Sequence, residues 1–180
     1  MSEKNETYAS IMKLAQSSLD ILVVPSGHRG TDPPVRAAIA QVEKLFGDSP
    51  NRGCLIAGLW LLIGELDKAH VICQEIPTAH GSAWHAVVHR MEGDFWNSKY
   101  WWRRASGLSW PGMMENIRAK VSAPSAHLKN FSSSTHYDPA MFVDLVERYH
   151  SDPALRNALV AVQRLEWQAL FADCWHSSGA

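Results

Sequence analysis

The sequence predicts an all-α fold: a single domain of about seven to nine helices, with central helix hairpins and a long C-terminal helix. Three observations carry that prediction. Apolar residues recur at helical spacing from end to end. An Asp-Pro pair stands at three helix starts, and a glycine-acid turn occurs twice in a register of 29 residues.

Taken in order, Tyr8, Ile11, Met12, Ala15 and Leu19 share one helix face, and the helix ends in the loop Pro25-Ser-Gly-His-Arg-Gly-Thr-Asp-Pro-Pro34. His28-Arg29 in that loop would line a site or cap the turn. Asp32 before Pro33 is an N-cap followed by proline in the first turn, where no amide hydrogen is needed. That helix runs from Val35 to Phe46 and stops at Gly47. Leu55-Ile-Ala-Gly-Leu-Trp-Leu-Leu-Ile63 reads as a buried helix ended by Gly64, and Leu66 to Ile76 follows directly. A second hairpin joins Trp84 to Glu92, with Ser82 as its natural N-cap, to Phe95 to Ala105 through Gly93. Segment 106–137 is the least regular stretch. It holds one short helix, Met113 to Lys120, and reads otherwise as loop, which would be mobile or cover a site. Asp138-Pro139 then opens a helix from Ala140 to about His150, and Asp152-Pro153 opens the last, from Ala154 to about Trp175.

The repeat aligns Gly64-Glu-Leu-Asp-Lys-Ala-His70 over Gly93-Asp-Phe-Trp-Asn-Ser-Lys99. Its logic is physical: the glycine takes a left-handed turn, the acid caps the next helix, and the small residue lets two helices approach. The second copy is similar to the second half of a tetratricopeptide or Sel1-type repeat, through Gly93-Asp94-Phe95, Ser98, Trp102, Ala105 and Pro111. That resemblance implies a protein-interaction scaffold with its polar residues along an exposed concave groove.

With 46% hydrophobic and 19% charged residues over 180 positions, the chain is neither disordered nor fibrous, and it is long enough for a core without disulfides or a structural metal. Cys54, Cys73 and Cys174 are odd in number and form no CxxC pair, which speaks against a disulfide framework or a zinc knuckle. The start lacks a signal peptide's basic and apolar regions, and the longest apolar run is too short to span a bilayer. The expectation is a cytoplasmic protein. A net charge of −1 provides no global field for nucleic acid or anionic membrane, so neither is expected as a partner, and a homo-oligomer is left open.

Candidate chemistry concentrates at Trp84-His-Ala-Val-Val-His-Arg-Met-Glu-Gly-Asp94. On a helix, Trp84, Val87, Val88 and Met91 share the core face, while His85, His89 and Glu92 fall on an adjoining one. Two imidazoles one turn apart can reach one divalent metal ion, with the carboxylate as a third ligand or as an orienting partner. Glu166 on the last helix lies in an apolar stripe and must be paired. It is the expected further metal ligand, with Arg90 or the histidines as its partner. His70, His127, His136, His150 and His176 have no constellation around them. On the next helix, Trp96, Lys99, Tyr100 and Arg103 form a cationic, aromatic flank suited to a carboxylate or phosphate. Trp101 and Trp102 cannot share a face, so one must pack outside the hairpin. Of the eight tryptophans, Trp60, Trp84, Trp102 and Trp167 are expected in the core, and Trp96, Trp101 and Trp110 are left over to wall the polar row.

Three stretches, Trp84 to Asp94, Asn97 to Arg104 and Leu165 to Cys174, together resemble an uncharacterised family of small, soluble, largely bacterial proteins with fungal relatives. Its motifs are WHxxxHRxExD, NxKYWxRR and EWxxLFxxC. The resemblance places His85, His89, Arg90, Glu92, Asn97, Lys99, Tyr100 and Glu166 in the motif and implies no particular reaction. Where that family has a glycine-histidine-proline turn, this chain has Ser106-Gly-Leu-Ser-Trp-Pro111.

The leading expectation is a protein that binds a small or anionic ligand. Its pocket would be lined by His85, His89, Arg90 and Glu92, facing Glu166 and the flank of Lys99, Tyr100 and Arg103. The alternatives are a hydrolase or lyase with a divalent metal on His85, His89, Glu92 and Glu166, and the tetratricopeptide-like scaffold.

Overall fold

The computed structural model describes residues 2–25, 32–121 and 125–177, so His28-Arg29 lies outside the described residues. Ten helices and no strand occur among them: α1 Glu3–Ser18, α2 Pro33–Phe46, α3 Arg52–Leu62, α4 Leu66–Gln74, α5 Ala79–Glu92, α6 Phe95–Arg104, α7 Met113–Lys120, α8 Ala126–Ser132, α9 Pro139–Tyr149 and α10 Pro153–His176. All three Asp-Pro starts form as predicted. Asp32 accepts from the Val35 amide (3.4 Å), Asp138 from Ala140 (2.8 Å) and Asp152 from Ala154 (2.9 Å).

Two predicted boundaries are corrected. The stretch after Lys120 is not all loop, because the Ser125 hydroxyl accepts from the Leu128 amide at 3.2 Å and α8 follows, burying Leu128 and Phe131. Seven residues are too few for periodicity to show, and α8 raises the helix count above nine. α5 begins earlier than expected: Thr78, not Ser82, is its cap, accepting from the Gly81 amide at 3.1 Å, and Ser82 is buried inside the helix.

The glycine-acid turn keeps its logic fully in the second copy. Gly93 takes φ 82°, Asp94 accepts from the Asn97 amide at 3.2 Å, and Ser98 donates to the Ala86 carbonyl at 2.7 Å across the hairpin. In the first copy Gly64 turns the same way and Ala69 is buried, but Glu65 makes no capping bond; its carboxylate meets the Lys68 ammonium at 2.9 Å.

From α2 to α6 each helix packs on the next, and α10 lies against α1, α3, α5, α7 and α9. The core forms two apolar clusters. One is built around Trp84, Trp167, Phe171 and Trp175, and the other joins α7, α8, α9 and the first half of α10; Phe95 and Trp110 pack against both. Trp60 is only half-buried, under the Lys68 ammonium at 4.3 Å. The strap before the first loop is pinned at both ends: Val24 donates to the Met91 carbonyl at 2.7 Å, and Arg164 and Gln163 donate to the carbonyls of Leu19 and Ile21. Among the described residues no helix is long and apolar enough to cross a membrane.

Candidate metal centre

The α5 projection holds: Trp84, Val87, Val88 and Met91 are buried in the core, and His85 and His89 leave the adjoining flank. Those two rings stack at 4.8 Å and are themselves buried. The residue that completes the group is His70 of α4, expected to stand alone. Its ring lies 4.6 Å from that of His85 and 5.0 Å from that of His89, edge-on to both. One nitrogen from each imidazole lies within 4.8 Å of the other two.

Local packing sets this up. Gly81 stands where a Cβ would come within 2.3 Å of the Ile76 carbonyl oxygen, so only glycine lets the first turn of α5 back onto the end of α4. That contact holds the two helices in the register that brings His70 beside His85. On the other side Trp101 of α6 stacks on the His85 ring at 4.1 Å. Trp101 therefore packs back onto the hairpin rather than outside it.

Glu92 sits at the outer edge of the rings. Its Oε1 is 3.1 Å from His70 Nδ1, and its Oε2 is 3.1 Å from His89 Nδ1, although that nitrogen is not aimed along a hydrogen bond. A carboxylate accepts, so His70 carries its hydrogen on Nδ1 and presents a bare Nε2. His85 Nε2 lies 2.9 Å from that lone pair and is the donor, which leaves His85 Nδ1 buried without a partner. The proton on His85 Nε2 thus occupies the place between two imidazole nitrogens where a cation would sit. Two nitrogens at about 2.0–2.1 Å from one ion stand roughly 2.9 Å apart at a right angle and about 3.4 Å apart at a tetrahedral one. The observed spacing needs at most about half an ångström of opening.

Electrostatics favour the ligand form. Burial, followed by the neighbouring His70 and His89, lowers the His85 pKa to about 4 against a weaker opposing pull from Glu92. Burial raises the Glu92 carboxyl, but the imidazoles of His89 and His70 more than offset it, and its pKa falls below the ordinary value. At neutral pH His85 is neutral and Glu92 ionised.

The other predicted site residues separate from this group. Arg90 leaves α5 roughly 140° round from His85 and is fully buried. Its two terminal nitrogens grip the Glu166 carboxylate, Nη1 to Oε1 at 3.0 Å and Nη2 to Oε2, while the Tyr137 hydroxyl donates to Oε1 at 2.6 Å. Glu166 is accordingly corrected from metal ligand to ion-pair partner, because Arg90 and Tyr137 occupy its oxygens. Glu92 does not belong to the group of three imidazoles, and its carboxylate approaches the Nδ1 edges of His70 and His89. Lys99 turns to α9, where it meets Asp144 at 2.8 Å and Glu147 at 3.5 Å. Asn97 Nδ2 donates to Asp94 at 2.6 Å. Tyr100 and Arg103 are exposed on α6. The single pocket expected from His85, His89, Arg90, Glu92 and Glu166 is therefore two networks on two flanks of α5. A cavity of about 590 Å³ lies elsewhere, between residues 102–115 and 135–139, so parts of the irregular segment wall a space of their own.

Sequence reasoning missed His70 because it sits on another helix. A signal was available in the repeat: His70 follows Ala69, the small residue of the first turn motif, and such a position borders the next hairpin. Comparison with known proteins finds no family model, curated protein or solved structure that matches the chain.

Proposed function

We propose that the protein binds a divalent transition-metal ion on His70, His85 and His89, with Glu92 orienting the rings, and that it acts as a metal-dependent hydrolase or lyase. The observation that supports this reading is the convergence of three imidazoles from two helices, with the Glu92 carboxylate 3.1 Å from Nδ1 of His70 and of His89. Imidazole suits zinc, nickel, copper and iron rather than calcium or magnesium. Three protein ligands leave room for water, the arrangement of catalytic rather than structural sites, and the side chains of His70 and Glu92, 32% and 29% exposed, open the site to solvent. A bound ion would lower the pKa of such a water and make it a nucleophile near neutral pH. A scaffold would instead expose its polar row, whereas His85 and His89 are buried.

The setting we propose is cytoplasmic, in keeping with three buried cysteines that form no disulfide framework. Nucleic acid and membrane are not among the proposed partners. The test uses untagged protein incubated with zinc, nickel, manganese or iron(II) and desalted. One retained ion per chain is expected, with loss of that ion in His70→Ala and about 10- to 100-fold weaker binding in Glu92→Gln. Unchanged uptake in His70→Ala, or no stoichiometric ion with any metal, would overturn the reading.

A further inference from the structure

Beside the histidines, α6 carries a row of side chains that the metal site does not use. Trp96 is 70% exposed and Tyr100 38% exposed, unusual for large aromatic rings, and the two lie nearly parallel, 10° apart at 6.2 Å. Arg103 and Arg104, three and four residues on, both hold their guanidinium carbons 6.0 Å from the Tyr100 ring. Among the described residues neither arginine has a carboxylate partner, whereas Lys99 on the same helix is taken up by two. If they only complemented the helix dipole, the arginines would lie against the last carbonyls. They fold back over the preceding turn instead. The row also runs inward: Arg104 lies 5.3 Å from the Trp101 ring, and Trp101 stacks on His85. One indole separates a free guanidinium from the proposed metal ligand.

We propose that this ledge binds a phosphate monoester that also bears an aromatic ring system, of the kind found in a nucleoside monophosphate. Arg103 and Arg104 supply the fork donors that match phosphate oxygens, and Trp96 with Tyr100 supplies the exposed face on which a planar ring stacks. The ligand class follows from the combination: a simple anion would not need the aromatic pair, and an uncharged ring would not need two free guanidiniums. The inference rests on and deepens the metal reading, since Trp101 lies between Arg104 and His85, and it names a phosphate monoester bearing an aromatic base as the substrate class of that site.

The experiment is calorimetric titration of the full chain, metal-free and zinc-incubated, with AMP, inorganic phosphate and adenosine as separate probes. AMP is expected to bind at least tenfold more tightly than either fragment, and more tightly in the zinc-incubated protein. The double substitution Arg103→Gln/Arg104→Gln and the single Trp96→Ala, all on the surface, are expected to weaken AMP about tenfold or more, and sodium chloride is expected to weaken it further. Binding no better than the fragments, or unchanged in both variants, overturns the proposal. The two readings fail separately: zinc retained without AMP binding removes the ledge alone, whereas AMP binding to a protein that holds no ion removes the metal centre and leaves the ledge as a ligand site.

Discussion

Replacing Glu166 by glutamine tests the reassignment of that residue most directly. In the native chain the carboxylate accepts two charge-assisted bonds from Arg90 and one from Tyr137, and both members of the ion pair are shut off from solvent. Glutamine keeps one acceptor but presents an amide nitrogen to the other guanidinium nitrogen, donor against donor. One hydrogen bond to a charged group is lost, about 1.5–3 kcal/mol. The guanidinium is also left in the core without a counter-charge. Breaking a buried pair from one side costs about 3–5 kcal/mol in all. For a domain of this size each kcal/mol lowers Tm by about 2–4 °C, so Glu166→Gln should melt roughly 6–20 °C below the parent.

Urea unfolding followed by tryptophan fluorescence and by far-ultraviolet dichroism, with coincident transitions required, measures the loss. A change under about 1 kcal/mol would refute the argument, because it would mean that the arginine finds water or another partner. The pair itself is a different quantity. Arg90→Met/Glu166→Leu removes both charges and should recover most of the stability, since an ion pair and a well-packed apolar pair are often nearly equivalent. Folded Glu166→Gln protein should still take up metal with unchanged stoichiometry. Loss of the ion from a folded variant would return Glu166 to the ligand set.

Three further outcomes are expected. Stability should fall as pH is lowered from about 6.5 toward about 4, because unfolded His85 gains its proton near 6.5 while folded His85 resists until about 4; Glu92, whose folded pKa is depressed, adds to the loss only as pH falls through the carboxylate range. Urea midpoints between pH 7 and 4 that do not move would contradict the assigned burial. Gly81→Ala should cost about 1–3 kcal/mol by overpacking and also weaken metal retention, since its Cβ meets backbone at Ile76; parental metal affinity in that variant would show that the α4–α5 contact does not set the site. Free zinc at one hundred times its Kd should stabilise the protein by about 2.7 kcal/mol, read as a calorimetric Tm shift that His70→Ala abolishes; an equal shift in that variant would place the ion elsewhere.

Helix type and order were legible because they rest on local rules. Asp32, Asp138 and Asp152 sit beside prolines that suit only a first turn, and Gly93 with Asp94 specifies a hairpin turn within six residues of sequence. Periodicity on α5 also separated the core face from the histidine flank correctly. What was not legible depended on which helices meet. His70 belongs to the site only because α4 packs on α5, and the turn motif that marks its neighbour Ala69 does not say which side chains the next hairpin brings up to it. The pairing of Glu166 with Arg90 could be anticipated, since a carboxylate in an apolar stripe must have a counter-charge, but the third partner, Tyr137, comes from the segment with the weakest pattern. Assigning Arg90 to the same pocket as His85 was an error of angle: residues five apart on a helix face away from each other.

That angle also explains how one helix serves two opposed demands. On one flank α5 spends its arginine in a closed network whose donors and acceptors are nearly all matched, with only Arg90 Nε left over, and which ties α5 to α10 and, through Tyr137, to the segment before α9. On the other flank it keeps two imidazoles buried with Nδ1 atoms that lack hydrogen bonds, which costs free energy in a metal-free chain. A fold can carry such a deficit only where its stability is secured elsewhere, and rings whose nitrogens already lie within 4.8 Å of one another lose little further freedom on ligation. Burial of His85 serves the same end: it disfavours the imidazolium, which has no lone pair to offer an ion at mildly acid pH. The unsatisfied flank is therefore the one to which function is assigned, and the satisfied flank is what allows it to remain unsatisfied.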